Sequence, residues 1–256
     1  MGRHCKIAGM NLWLAAALAL TVAGCAPRGD DREDLSRARS RDARGREARS
    51  HAAPSVSAAV PAKPPAGARP RIAVLGDSLT AGLGVPKAAA YPALLQQRLD
   101  ADGFDFEIVD AGVSGDTSAG GLARLDWALD GDVRVLIVAL GGNDALRGLP
   151  AEQMRRNLAQ IIERAQARDI TVILAGMEAP PNYGRDYIVS FHMVYPALAA
   201  QYRVALVPFL LQGVAGNEAL NQPDGIHPTA AGARIVADNV WAVLKPIAEA
   251  RRRPTT

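Results

Sequence analysis

Apolar residues beyond position 70 occur either in short continuous runs or at helical spacing, and the two patterns alternate along the chain. The first run, 72–75, enters Gly76-Asp77-Ser78 directly, as expected for a buried strand that ends in a tight turn. Four further strands are predicted at 106–109, 133–140, 171–175 and 204–207. Helices are predicted at 88–99, 118–129, 151–168, 186–202 and 228–244. Pro196 should interrupt or kink the fourth helix, and Pro228 suits the first turn of the fifth.

This alternation of strands and helices indicates a parallel sheet with right-handed crossovers. The strands of such a sheet are apolar throughout, because helices cover both of its faces. Chemistry in these folds lies just beyond the carboxyl ends of the strands. Ser78 follows the first strand, so we expect its hydroxyl at this edge.

The first 24 residues differ in character and are typical of a secretory signal. Arg3 and Lys6 precede an apolar run over 12–22, which is shorter than the apolar segment that a membrane-spanning helix needs. Small residues lead into Cys25, and this junction resembles a bacterial lipobox, in which Cys25 would be lipidated. The alternative is an ordinary signal with a coincidental cysteine. Ala26, rather than an aspartate, follows, so a lipoprotein would favour the outer membrane, with the chain on its periplasmic face.

Composition predicts a disordered tether over 25–70 and one folded domain over 71–256. Residues 26–70 hold ten basic and six acidic side chains, whereas 71–256 hold 17 basic and 20 acidic ones. The tether could contact anionic headgroups, although a solvated linker is preferred. The folded domain carries no basic excess, which gives little support to nucleic-acid binding. Neither Cys5 nor Cys25 lies in that domain, so no disulfide or thiolate metal site is expected there.

A serine becomes a nucleophile only with a base, and the folded domain offers two histidines. Asp224 lies three residues before His227 and can turn back to accept a bond from its Nδ1–H. His227 Nε2 would then face Ser78 across the edge of the sheet. His192 lies in mid-helix with no nearby carboxylate but Asp186, which is typical of a surface or packed histidine.

Acyl transfer also needs donors for the oxyanion that develops in its transition state. The N–H of Ser78 is one candidate, and a glycine in the loop 110–117 after the second strand is another. Asn143 follows the third strand and carries a side-chain N–H. Each motif alone could be a plain turn, but four of them follow strands in order. A phosphate-binding interpretation is weaker, because the turn at Ser78 lacks the lysine and glycine spacing of a P-loop.

Together these motifs resemble the GDSL/SGNH hydrolases, and the bacterial thioesterase I/protease I/lysophospholipase and arylesterase branch in particular. The matching blocks are Gly76-Asp77-Ser78-Leu79, Gly115, Gly142-Asn143-Asp144, and Asp224 with His227. The resemblance implies a three-layer α/β/α, flavodoxin-like fold with about five parallel strands and no metal or cofactor.

Residue roles follow from the same resemblance. It implies Ser78 as nucleophile, His227 as base and Asp224 as the residue that orients the base. The N–H groups of Ser78 and Gly115 and the side chain of Asn143 would form the oxyanion hole. Asp77 is interpreted as a structural turn residue rather than a second catalytic acid.

Two loops resemble substrate-binding segments of this branch, and the alternative for both is simple connection. The loop 145–150 resembles a mobile substrate loop, and 177–187 resembles the wall of an acyl pocket. The predicted substrate-binding residues are Asp144, Ala145, Leu146, Arg147, Gly148, Leu149, Pro181, Asn182 and Tyr183.

The expected activity is that of a serine esterase that forms an acyl-enzyme on Ser78. Its partners would be a membrane, through Cys25, and small esters or thioesters: short to medium acyl chains, aryl esters or lysophospholipids. A carbohydrate O-acetyl esterase of the same family is an alternative, but a polysaccharide groove should carry exposed aromatic side chains and few exist here. A non-catalytic surface-binding lipoprotein is a second alternative. A protein without catalytic activity, however, would not need the complete set of hydrolase motifs.

Overall fold

The computed structural model describes residues 69–251, so the predicted signal, Cys25 and most of the predicted tether lie outside the described residues. Within this range one five-stranded sheet runs parallel throughout, in the order β2-β1-β3-β4-β5. The strands are β1 (Arg71–Gly76), β2 (Glu107–Gly112), β3 (Val133–Ala139), β4 (Thr171–Ala175) and β5 (Ala205–Val207). The predicted parallel α/β fold is confirmed.

Helices connect the strands and cover the sheet. They are α1 (Ser78–Ala81), α2 (Tyr91–Ala101), α3 (Ser118–Ala123), α4 (Leu125–Ala128), α5 (Gly142–Leu146), α6 (Ala151–Gln166), α7 (Arg185–Tyr202) and α8 (Ala230–Ala250), with 3₁₀ turns at Lys87–Ala89 and Pro181–Tyr183. Helix α2 packs against α8, and α6 packs against α3 and α7. None of the helices in the described range is long and apolar enough to cross a bilayer.

Three predicted helices differ from the observed ones. The segment 118–129 forms two short helices, and the break between them lies at Arg124. Helix α7 continues through Pro196 without interruption. Helix α8 begins after Pro228, because the Thr229 side chain accepts a hydrogen bond from the Gly232 N–H and so caps the helix.

The core lies on both faces of the central strands. All of Ile72, Ala73, Val74 and Leu75 in β1 are fully buried, and so is 135–138 in β3. Burial on both faces is the physical reason for continuous apolar runs rather than alternation.

Strands β1, β2 and β3 end side by side, which places their loops together. Gly76 is in register with Gly112 of β2 and with Ala139 of β3. Glycine is needed at 112, because a Cβ there would lie 2.4 Å from the backbone nitrogen of Ala81. The missing side chain lets α1, which begins at Ser78, pack directly on the end of β2.

Candidate active site

Ser78, His227 and Asp224 form one chain of hydrogen bonds at the carboxyl edge of the sheet. His227 Nδ1 lies 2.6 Å from Asp224 Oδ2, and His227 Nε2 lies 2.8 Å from Ser78 Oγ. Because the carboxylate accepts the Nδ1 proton, Nε2 is left as an acceptor for the Ser78 hydroxyl. The arrangement can therefore remove a proton from Ser78 as its oxygen attacks an electrophile.

The turn 224–227 holds the Asp224 carboxylate in its ionised form. Asp224 Oδ1 accepts the backbone N–H groups of His227, over 3.0 Å, and Ile226, over 2.9 Å. These bonds, joined by the His227 side chain, lower the pKa of Asp224 to about 2. Gly225, with φ of 69°, supplies the left-handed conformation that the turn requires. Asp224 is thus a carboxylate at neutral pH.

Two backbone N–H groups are available for an oxyanion. The Asp116 N–H donates to the Val113 carbonyl over 3.1 Å, and Gly115 between them has φ of 86°, as a turn of this kind demands at its third position. Within residues 69–251, the backbone N–H groups of Gly115 and Ser78 donate no hydrogen bond. Both residues line the same cleft, so both N–H groups can donate to a bound carbonyl oxygen.

Asn143 lies in the same cleft at the start of α5. Its Nδ2 donates to Asp77 Oδ2 over 3.1 Å and to the Asp116 carbonyl over 2.9 Å. These two bonds use both amide hydrogens. Asn143 can therefore donate to a substrate oxyanion when one of the two bonds is exchanged.

The model of the GDSL-like Lipase/Acylhydrolase family matches residues 74–235, a span that contains every residue of this constellation. The chain belongs to this family.

Named relatives agree with the family. Esterase TesA of Pseudomonas aeruginosa is 49% identical over 175 residues, which cover 68% of this chain and 87% of that protein. The thioesterase 1/protease 1/lysophospholipase L1 of Escherichia coli is 38% identical over 183 residues, 71% of this chain and 86% of the relative. The crystal structure of TesA matches with a TM-score of 0.66 at 46% identity and covers 69% of this chain and 99% of that one. The resemblance seen in the sequence is confirmed, and this GDSL hydrolase is a carboxylic ester hydrolase.

Asp77 is a buried carboxyl group directly before Ser78 in the chain. It is 3% exposed, caps α1 by accepting the Leu79 N–H over 3.0 Å, and accepts from Asn143. Burial raises its pKa from 3.8 to about 6, against the opposing effect of these hydrogen bonds. Asp77 thus connects the turn at Ser78 to the Asn143 amide.

This raised pKa predicts a pH-dependent stability. The native state favours protonated Asp77, so the contribution is fully present below pH 3.8 and is lost as the pH rises through about 6. In urea unfolding, we expect wild type to lose about 2.5 kcal/mol relative to Asp77→Asn between pH 4 and pH 8. Asp110→Asn should show a smaller change in the same direction, since Asp110 is less buried. Parallel pH curves for wild type and Asp77→Asn would contradict the prediction.

Four residues of the predicted substrate loops contact the cleft lining or one another. Of these four, Leu146 alone belongs to the lining. Arg147 donates to the Gly115 carbonyl over 2.8 Å, and the Tyr183 hydroxyl donates to the Leu146 carbonyl over 2.7 Å. Gly148, with φ of 61°, lies against the Tyr183 ring. These contacts hold the loop after Asn143 to the turn at Gly115 on one side and to the 181–183 turn on the other.

The structure does not bring the other predicted substrate-binding residues into the cleft. Asp144 is buried, and its carboxylate accepts the Ser118 N–H and hydroxyl over 2.7 and 2.6 Å, so it joins α5 to α3. Ala145 is buried in the core. The remaining three lie outside the lining: Leu149, whose carbonyl accepts from Tyr187, and the exposed Pro181 and Asn182.

The cleft beside Ser78 has a volume of about 340 Å³ and a largely apolar wall. Its apolar lining comprises Leu79, Leu83, Leu146, Met177, Pro180, Leu211, Ala215 and Ile226. Met177 and Pro180 belong to the predicted wall 177–187. Leu211 and Ala215 come from the stretch 208–223 after β5, for which the sequence pattern predicts no element or site residue. The spacing of apolar residues at 210, 211 and 214 was the available signal.

His192 has a carboxylate partner that the sequence analysis missed. Its Nδ1 lies 2.7 Å from Oε1 of Glu178, whereas Asp186 is the nearby carboxylate that the sequence indicates. Glu178 follows β4 and lines the cleft, so the pair forms through tertiary packing. The His192 side chain is 55% exposed, in agreement with a histidine on a helix surface.

Proposed function

We propose that the hydrolase cleaves esters and thioesters through an acyl-enzyme on Ser78. The observation that carries this is the continuous chain of hydrogen bonds from Ser78 through His227 to Asp224. Ser78 Oγ attacks the carbonyl carbon as its proton passes to His227 Nε2. The N–H groups of Ser78 and Gly115, with the Asn143 amide, hold the oxyanion. His227 protonates the leaving alcohol or thiol, then activates the water that releases the acid.

We propose short to medium acyl chains, aryl esters and lysophospholipids as the substrate classes. The support is an apolar cleft of about 340 Å³ next to the nucleophile. Relatives named esterase, arylesterase, and thioesterase 1/protease 1/lysophospholipase L1 point to the same classes. Leu211 and Ala215 would contact the acyl chain beyond the reacting carbonyl.

A narrowed cleft should shift the acyl preference. Ala215 is exposed and lines the cleft, so Ala215→Trp should lower kcat/KM for p-nitrophenyl decanoate about 10-fold more than for the acetate. Ala219→Trp is the matched control, since Ala219 is exposed in the same segment but outside the lining. Equal losses with both esters would place the acyl chain elsewhere. Wild-type activity confined to the acetate would favour a carbohydrate O-acetyl esterase instead.

We also propose that the protein is tethered at the periplasmic face of a bacterial membrane through lipidated Cys25. The support is the sequence alone: the charged start, the short apolar run and the small residues before Cys25. Incorporation of labelled palmitate into wild type but not into Cys25→Ser tests the anchor, and equal labelling would refute it.

A further inference from the structure

Arg124 lies behind the oxyanion hole and binds three separate pieces of the chain. Its Nε donates to Asp116 Oδ2 over 2.5 Å, its Nη1 to the Ala111 carbonyl over 2.7 Å, and its Nη2 to the Gly76 carbonyl over 2.8 Å. The side chain is only 18% exposed. A planar guanidinium suits this task, because it presents several donors in fixed directions.

Each of these partners lies close to an oxyanion donor. Gly76 lies two residues before Ser78 in the chain. Asp116 follows Gly115 directly, and its own carbonyl accepts one hydrogen of the Asn143 amide. One side chain thus contacts the backbone segments that present Ser78 and Gly115 and, through Asp116, reaches Asn143.

The Gly76 carbonyl is the point where these segments meet. It accepts from Arg124 and also from the Val113 N–H over 3.1 Å. Val113 begins the turn that presents the Gly115 N–H. The position of this turn relative to β1 therefore depends on an acceptor that Arg124 holds in place.

The charge of Arg124 is balanced at its own site. Asp116 Oδ2 forms an ion pair with Arg124 Nε, and both side chains are largely buried. The pair places little net charge behind the oxyanion, so the contribution of Arg124 to catalysis is geometric. This distinguishes it from a residue that binds the oxyanion directly.

We propose that Arg124 is a positioning residue for the oxyanion hole, which fixes the spacing of the Ser78 and Gly115 N–H groups and of the Asn143 amide. The inference rests on the proposed function, because it assigns those three groups to the transition state. Arg124 lies at the break between α3 and α4.

The test compares Arg124→Met and Arg124→Lys with wild type on p-nitrophenyl butyrate. We expect kcat of Arg124→Met to fall about 100-fold while KM stays within about threefold, because oxyanion donors act in the transition state rather than on bound substrate. Arg124→Lys should be intermediate. The inhibition constant of an alkylboronic acid, which forms a tetrahedral adduct on Ser78, should rise in parallel with the loss of kcat/KM.

Arg71→Met is the matched control. Arg71 also binds one carboxylate and one carbonyl, those of Glu107 and Asp130, but at the amino end of β1. Its removal should leave kcat and the boronate inhibition constant unchanged. Circular dichroism and thermal unfolding identify the folded fraction of each variant.

The possible results distinguish a failure of the positioning role of Arg124 from a failure of the proposed esterase activity. Folded Arg124→Met with wild-type kcat and boronate affinity would overturn the positioning role, even if its melting temperature fell. If Arg124→Met does not fold, kcat is measured for Arg124→Lys and Asp116→Asn instead. A wild-type kcat in both variants would also overturn the positioning role. A wild-type protein without esterase activity would instead refute the proposed function.

Discussion

Ser78→Ala is expected to lower kcat for p-nitrophenyl butyrate about 10⁵-fold, with KM nearly unchanged. Ser78 Oγ lies 2.8 Å from His227 Nε2 and has no substitute in the acyl-enzyme route. The backbone N–H groups at positions 78 and 115 remain in Ser78→Ala, so binding and oxyanion stabilisation persist and account for the residual rate. Loss of one oxygen atom should not disturb the fold, since the Asp77 cap is retained.

Steady-state kinetics and labelling with a fluorophosphonate measure this effect. Wild type should be labelled and Ser78→Ala should not, because the probe bonds to the nucleophilic oxygen. Ser190→Ala is the control, since Ser190 is an exposed serine of α7 outside the cleft. Labelling of Ser78→Ala, or a kcat within tenfold of wild type, would assign the nucleophile to another residue.

The second large effect is expected for Asp224→Asn, with a loss of about 10³-fold in kcat. The side-chain oxygen of the introduced amide can still accept the N–H groups of Ile226 and His227, so the turn persists. The amide nitrogen, however, faces His227 Nδ1 and requires that atom to be an acceptor. The imidazole proton then lies on Nε2 and points at Ser78, which prevents proton removal. We place the loss below that of Ser78→Ala, because the Asp224 side chain is 45% exposed and water can compete.

The dependence of the rate on pH provides a second test of the role of Asp224. The backbone bonds that lower the pKa of Asp224 to about 2 keep it ionised in wild type throughout the working range. Rates of wild type and Asp224→Asn from pH 5 to pH 9 should therefore differ at every pH. Asp186→Asn, an exposed change in the first turn of α7, is the control for fold and assay. A kcat of Asp224→Asn within tenfold of wild type would remove Asp224 from the mechanism.

The parts of this site that local patterns predict are those built from neighbours in the chain. Asp224 and His227 are three residues apart, so one turn brings their side chains together. Ser78 and His227 are 149 residues apart. Their meeting could be expected only because parallel strands end at one edge and because the motifs resemble a known family.

Other contacts in and around the site cannot be predicted from the pattern of residues near them in the chain. His192 meets Glu178, and Asp144 meets Ser118, across elements whose relative positions depend on packing. Asp144 shows the consequence, since a loop position predicted to bind substrate is a buried link between helices. The loop length was visible in the sequence, but the direction of the side chain was not.

Local sequence patterns predict the order of strands and helices, the parallel sheet and the residue types available at its edge. These follow from apolar periodicity and from motifs confined to a few positions, which any fold of this kind must respect. Packing between elements distant in the chain determines which side chains share the cleft and which hold it together. The guanidinium of Arg124 reaches Gly76, Ala111 and Asp116 because β1 and β2 end in register, and that register is a property of the packed sheet.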